Sequence, residues 1–218
     1  MIYFGFKKSR CQTGFFWVVL FVSMFSRVEA SPPLPERYVH VSPELTEYGN
    51  TIVEFLNYSC VYCFRADQGL EVARDSLGGK YKFVRIPISF RMDGSAYYST
   101  LAAIVLDKYD LIDEFHQYLF KIVQVPLSWE VDAYERLSSL ERVRALLVDW
   151  GVPDDEVEVS IVEAKKELEK NLEFARRVGV HGTPAVLVNG KYILNGLAST
   201  PLPEKVLALD IKSLALKF

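Results

Sequence analysis

Apolar and polar positions along this chain change period several times, and each change marks an element. Thr51 to Tyr58 (TIVEFLNY) is almost continuously apolar, as a strand buried on both faces should be. After Cys60 the period lengthens. Cys63, Ala66, Leu70, Ala73 and Leu77 recur at spacings of three and four, forming the buried stripe of a helix that Gly78-Gly79 ends. Arg65, Asp67, Glu71 and Arg74 fall off that stripe and are expected elsewhere on the helix surface. Lys80 to Phe90 (KYKFVRIPISF) predicts a second strand, giving β-α-β with parallel strands. Upstream, Tyr38 to Val41 alternates weakly and predicts an edge strand, and Gly49-Asn50 marks a turn.

Three helical runs follow without strand character: Ser95 to Lys108, Leu111 to Gln124 and Asp132 to Trp150. Pro126 separates the last two, and Gly151-Val152-Pro153 closes the set. Asp154 to Arg177 is a long charged helix. Its acids (Asp154, Asp155, Glu156) come early and Arg176-Arg177 late, the sense the macrodipole favours. Strands then return. Val180 to Pro184 leads into Ala185 to Val188, Asn189-Gly190 is a hairpin turn, and Lys191 to Leu194 runs back to Asn195-Gly196. Leu202 to Leu214 predicts a final helix. The pattern is α/β: residues 31–94 and 151–218 form one domain, interrupted by a helical subdomain at 95–150.

The first 30 residues read as a signal peptide. Lys7, Lys8 and Arg10 precede an apolar run, Gly14 to Phe25, and Val28-Glu29-Ala30 offers small residues for cleavage before Ser31. That run is short for a spanning helix, which favours the signal peptide over the competing reading, an uncleaved anchor. Removing four basic residues (Lys7, Lys8, Arg10, Arg27) and Glu29 takes the net charge from −3 to −6. An acidic secreted domain is a poor nucleic-acid binder. Of the three cysteines, Cys11 leaves with the peptide. Cys60 and Cys63 alone remain, one close pair where a disulfide framework would show several.

Cys60-Val61-Tyr62-Cys63 therefore carries the candidate chemistry. Cys60 stands where unpaired helix N–H groups and the macrodipole favour an anion, and a thiolate would be that anion. A Cys-x-x-Cys at a helix start is a setting that lowers thiol pKa, so Cys60 is expected below the ordinary value of about 8.5. Zinc needs more ligands than this pair offers; the histidines are His40, His116 and His181, and no second cysteine pair exists. No metal or cofactor is expected beyond a redox-active Cys60–Cys63 disulfide. Glu54, a lone acid in a buried strand, should take up a proton or find a partner. Asn57-Tyr58-Ser59 matches a glycosylation sequon, but a glycan there would crowd Cys60, so the match is read as coincidental.

The order of elements resembles a thioredoxin fold with an inserted helical subdomain, and more specifically the DsbA family of periplasmic thiol:disulfide oxidoreductases. Three features carry this: Glu54-Phe55 before Cys60-Val61-Tyr62-Cys63; Gly179-Val180-His181-Gly182-Thr183-Pro184 before Val188-Asn189-Gly190-Lys191-Tyr192; and the place of the insert. The resemblance implies catalytic Cys60 and Cys63. It implies a cis Pro184 facing them, with Thr183 and His181 in a substrate-binding loop. It places Glu54 beneath the disulfide opposite a base, for which Arg85 is the candidate, with Val61 and Tyr62 tuning the pair. The implied partners are reduced or unfolded secreted proteins and a DsbB-type quinone-linked inner-membrane oxidant, the protein acting as a monomer in the periplasm. Val61-Tyr62 stands where proline-histidine is common, and Thr183 where oxidants often have valine. Both departures favour a weaker oxidant and keep an isomerase or reductase of the same fold as the alternative. A non-catalytic peptide-binding module is the reading from another class.

Overall fold

The computed structural model describes residues 38–124, 137–195 and 204–216. Strands β1 (Tyr38–His40), β2 (Thr51–Leu56), β3 (Lys82–Pro87), β4 (Ala185–Val188) and β5 (Tyr192–Leu194) form one sheet in the order β1-β5-β4-β2-β3. Every residue of β2 is buried. It lies between β3, parallel to it, and β4, antiparallel to it. The near-continuous apolar run is thus explained by a central position. β1 is an edge strand paired with β5.

Side chains of β2 alternate between two cores. Ile52 packs with Leu70, Ala73 and Leu77 of helix α1 (Val61–Leu77) and with Leu207, Ile211 and Leu214 of helix α6 (Glu204–Leu216). Val53 and Phe55 face the other way, into a core built with helices α2 (Gly94–Lys108), α3 (Ile112–Gln124), α4 (Leu140–Asp149) and α5 (Asp154–Arg177). By this alternation Glu54 points to the α1 side, in register with Arg85 of β3. The helices between β3 and β4 share one continuous core with the sheet.

Two junctions fix the frame. Gly78 caps α1 in the left-handed conformation at φ 60°. Asn189 and Gly190 both have positive φ in the β4–β5 turn, and a Cβ on Gly190 would collide with the Leu45 carbonyl oxygen. Three sequence expectations need correction. The strand expected at 80–90 is confined to Lys82–Pro87. The helix expected over 132–150 starts at Leu140: residues 137–139 form a turn, and Ser139 caps the helix by accepting from the Arg142 N–H. Leu137 is buried from that turn, which is why it mimicked a helical position. Asp67, expected on the helix surface, is buried. The signal peptide, Pro126, residues 132–136, and the starts of the last hairpin exit and last helix at Gly196 and Leu202 lie outside the described residues. Among the described residues, no helix is long and apolar enough to cross a membrane.

Candidate active site

β2 ends at Leu56, and four residues later the chain enters α1 with Cys60 as its N-cap. The Cys60 backbone is extended (φ −85°, ψ 111°), and its sulfur accepts from the Cys63 backbone N–H at 3.4 Å. Sulfur has taken the place a serine or aspartate oxygen usually fills at this position. Cys60 is partly exposed, whereas Cys63 is fully buried one turn below, and both are free thiols. Donation from the Cys63 thiol, then its backbone N–H, Thr183 and the Tyr62 backbone, outweigh burial and bring Cys60 down to about 6. Burial, followed by its bond to Cys60 and the charge there, pushes Cys63 well above the ordinary thiol value. The two sulfurs are therefore unequal: one accessible and easily ionised, one hidden and held protonated.

Across from Cys60 runs the loop before β4. The Thr183–Pro184 peptide bond is cis, as is Ser42–Pro43. The Cys60 thiol donates to the Thr183 carbonyl at 3.3 Å, and Pro184 is buried. His181 is solvent-exposed in the same loop; the groups acting on the Cys60 sulfur are Cys63, Tyr62 and Thr183. Val61 is 42% exposed beside the sulfur, and Tyr62 is partly covered.

Behind the cysteines, Glu54 is 4% exposed, and its Oε1 has no hydrogen-bond partner among the described residues. Its Oε2 lies 3.7 Å from Arg85 Nε. Desolvation lifts the carboxyl to about 8 despite the opposing guanidinium. Arg85 also meets Glu71 at 2.7 Å, Asp113 at 3.3 Å and Asp67 at 3.9 Å. Glu54, Tyr58, Arg85, Asp107 and Asp113 line a cleft of about 540 Å³ on this side. The structure thus brings Glu54, Arg85, Cys60, Cys63, Thr183 and Pro184 into one region, and leaves His181 and Val61 toward solvent.

Asn57, Tyr58, Asp67 and His116, buried around the centre, were not read from sequence as part of it. Asn57, at the end of β2, donates to Ile88 O (2.7 Å), Ala96 O (3.1 Å) and Thr100 Oγ1 (3.1 Å). Its backbone N–H approaches Cys63 Sγ at 3.5 Å. The sequon asparagine is a structural tie. Tyr58 Oη bonds His116 Nδ1 at 2.8 Å, and His116 Nε2 bonds Asp67 Oδ1 at 2.7 Å. Gln117 Nε2 donates to Asp67 Oδ2. His116 was legible in one respect: it shares the apolar stripe of α3 with Leu119, Phe120 and Val123, where a polar residue needs a partner.

A protein-family model described as Thioredoxin matches residues 48–201. The thiol:disulfide interchange protein DsbA of Pseudomonas syringae pv. tomato is 25% identical over 158 residues, 72% of this chain and 69% of that protein. Among solved structures, a DsbA variant of Pseudomonas aeruginosa matches with TM-score 0.65 at 23% identity, over 83% of this chain and 95% of the other. DsbA of Proteus mirabilis, in complex with the noncovalently bound peptide PWATCDS, matches with TM-score 0.64 at 18% identity, over 83% of this chain and 96% of the other. The structural matches bear on the fold.

Proposed function

Taking as premise that this chain belongs to the thioredoxin family, we propose that it introduces disulfide bonds into secreted proteins by exchange through Cys60–Cys63. The resemblance to DsbA proteins that the two motifs carried is borne out over most of the chain. A disulfide oxidoreductase is the coarser statement on which this rests. The observation that carries the finer one is the inequality of the two sulfurs at the head of α1.

In the oxidised protein, a substrate thiolate attacks the accessible Cys60 sulfur. The Cys60–Cys63 bond breaks, its electron pair leaves on Cys63, and Cys63 takes up a proton. The product is a disulfide between substrate and Cys60. A second substrate thiol, losing its proton, attacks the substrate sulfur, and Cys60 departs as a thiolate. The substrate has lost two electrons and the pair has gained them. A leaving group with low pKa departs faster, and a stabilised reduced form makes the disulfide a stronger oxidant. The lowered Cys60 value supports that direction. Thr183, with its carbonyl beside the sulfur, is the candidate contact for a substrate backbone, next to Pro184 and the exposed His181. Glu54 and Arg85 stand as candidates to hold or pass the Cys63 proton, and Val61 and Tyr62 as tuning residues. Re-oxidation falls to a DsbB-type quinone-linked membrane partner, with the chain acting as a periplasmic monomer.

Equilibration of the pair against glutathione tests this. The oxidant reading expects a potential at or above about −180 mV and peptide oxidation that Cys60→Ala abolishes. A value near −270 mV would instead assign a reductase role. Peptide-linked function retained in Cys60→Ala would favour a binding module.

A further inference from the structure

We propose that His116, on helix α3 of the insert, is a positioning residue for the redox centre: by anchoring Asp67 it keeps Arg85 shared with Glu54. Its value to catalysis rests on the exchange reading above; its effect on Glu54 does not. His116 is 3% exposed and joins three elements. Its Nε2–H serves Asp67 on α1, and its Nδ1 accepts from the Tyr58 hydroxyl in the loop before Cys60. One imidazole tautomer satisfies both bonds.

Asp67 thereby has a donor on each oxygen, His116 on Oδ1 and Gln117 on Oδ2. It does not need Arg85, which stands 3.9 Å away. Arg85 can then lie 3.7 Å from Glu54, whose other oxygen has no partner among the described residues. Without the imidazole, Asp67 Oδ1 is a buried carboxylate oxygen facing the guanidinium as the donor left beside it. Leaving such an oxygen unpaired is costly, so Arg85 closes on Asp67. That movement withdraws the cation opposing the desolvation of Glu54. Of the other cations lining the cleft, Arg74 is held by Glu71, and Lys82 stands three residues before Arg85 at the start of β3; Arg85 is the cation that acts on Glu54. Glu71 on α1, Asp107 on α2 and Asp113 on α3 are carboxylates, Tyr58 is a phenol, and Cys60 adds negative charge when ionised.

The test follows the Glu54 carboxyl by carbon-13 NMR titration of the full chain in its oxidised form. His116→Phe should raise the titration midpoint by about one pH unit. His116→Gln keeps an N–H for Asp67 and should stay near wild type. Asp67→Asn removes a like charge and should lower the midpoint, and adding His116→Phe to it should produce no rise. An unmoved or lowered midpoint in His116→Phe, or the same rise in the Asp67→Asn background, overturns the proposal. Circular dichroism reports whether His116→Phe folds. Nitrogen-15 NMR of the wild-type ring tests the premise without any variant, and a proton on Nδ1 instead of Nε2 would also overturn it. None of these readings needs thiol exchange. Failure of Cys60–Cys63 to exchange with free thiols would sink the proposed function and leave this test standing.

Discussion

At Glu54 the fold and water disagree about a proton. Desolvation lifts the carboxyl from 4.5 to about 8. Between those values the native chain holds a proton that the unfolded chain has released, so stability falls as pH rises through that window. At pH 7 this group costs roughly 3 kcal/mol as an upper figure. Glu54→Gln should flatten the decline between about pH 5 and pH 8, measured by urea unfolding of the oxidised protein, where neither cysteine titrates. An equally steep decline in the variant would show that Glu54 is not the source. The acid itself was legible in sequence, because a lone Glu in an apolar strand is conspicuous. Asp67 was not. Its polarity placed it on the surface although it stands four residues after Cys63 and three before Leu70, and no local pattern could reveal that α3 arrives from 49 residues away to pair with it.

At the scale of elements, the loop between β2 and α1 is held both by its own turn, in which the Cys60 N–H donates to the Asn57 carbonyl, and by the Asn57 side chain. That amide ties the strand end to Ile88 after β3 and to Ala96 and Thr100 of α2. It has two hydrogens for three acceptors, so two bonds form well at a time. Asn57→Ala leaves the Ile88 and Ala96 carbonyls to share the one Thr100 hydroxyl proton and should cost about 2–3 kcal/mol by chemical denaturation. It should also loosen the Cys63 sulfur, which the Asn57 N–H approaches. A loss under half of that would mean water replaces the amide. Here sequence reading had only a sequon to see. The strands, the long helix Asp154–Arg177 and the Asn189-Gly190 turn were legible because their signals are local: period, charge order and turn chemistry. The break before Leu140 was not, since Leu137 is apolar and falls at a helical spacing while sitting in a turn.

Across the whole molecule, the redox state of two sulfurs is linked to the stability of the fold. The lowered value of Cys60 exists only in the dithiol form. A depressed native pKa stabilises fully above the unfolded value near 9 and is lost as pH falls through about 6. The short ring closed by the disulfide constrains the unfolded chain little in return. The reduced protein should therefore melt above the oxidised one near pH 8, and the gap should narrow toward pH 5, as followed by calorimetry. An oxidised form that melts higher at both pH values would contradict the linkage. The pair's location was readable from Cys60-Val61-Tyr62-Cys63, but the rank of the two thiols came only with the packing that hides one of them.

That hidden sulfur sets a clock. Cys63 has no exposed surface, so on the proposed chemistry a client captured on Cys60 can be released unchanged from within the protein by this one buried thiol. Because this thiol clings to its proton, it strikes back slowly. The depth of one side chain thus decides how long a client dwells, finding its own second cysteine or being released as it came.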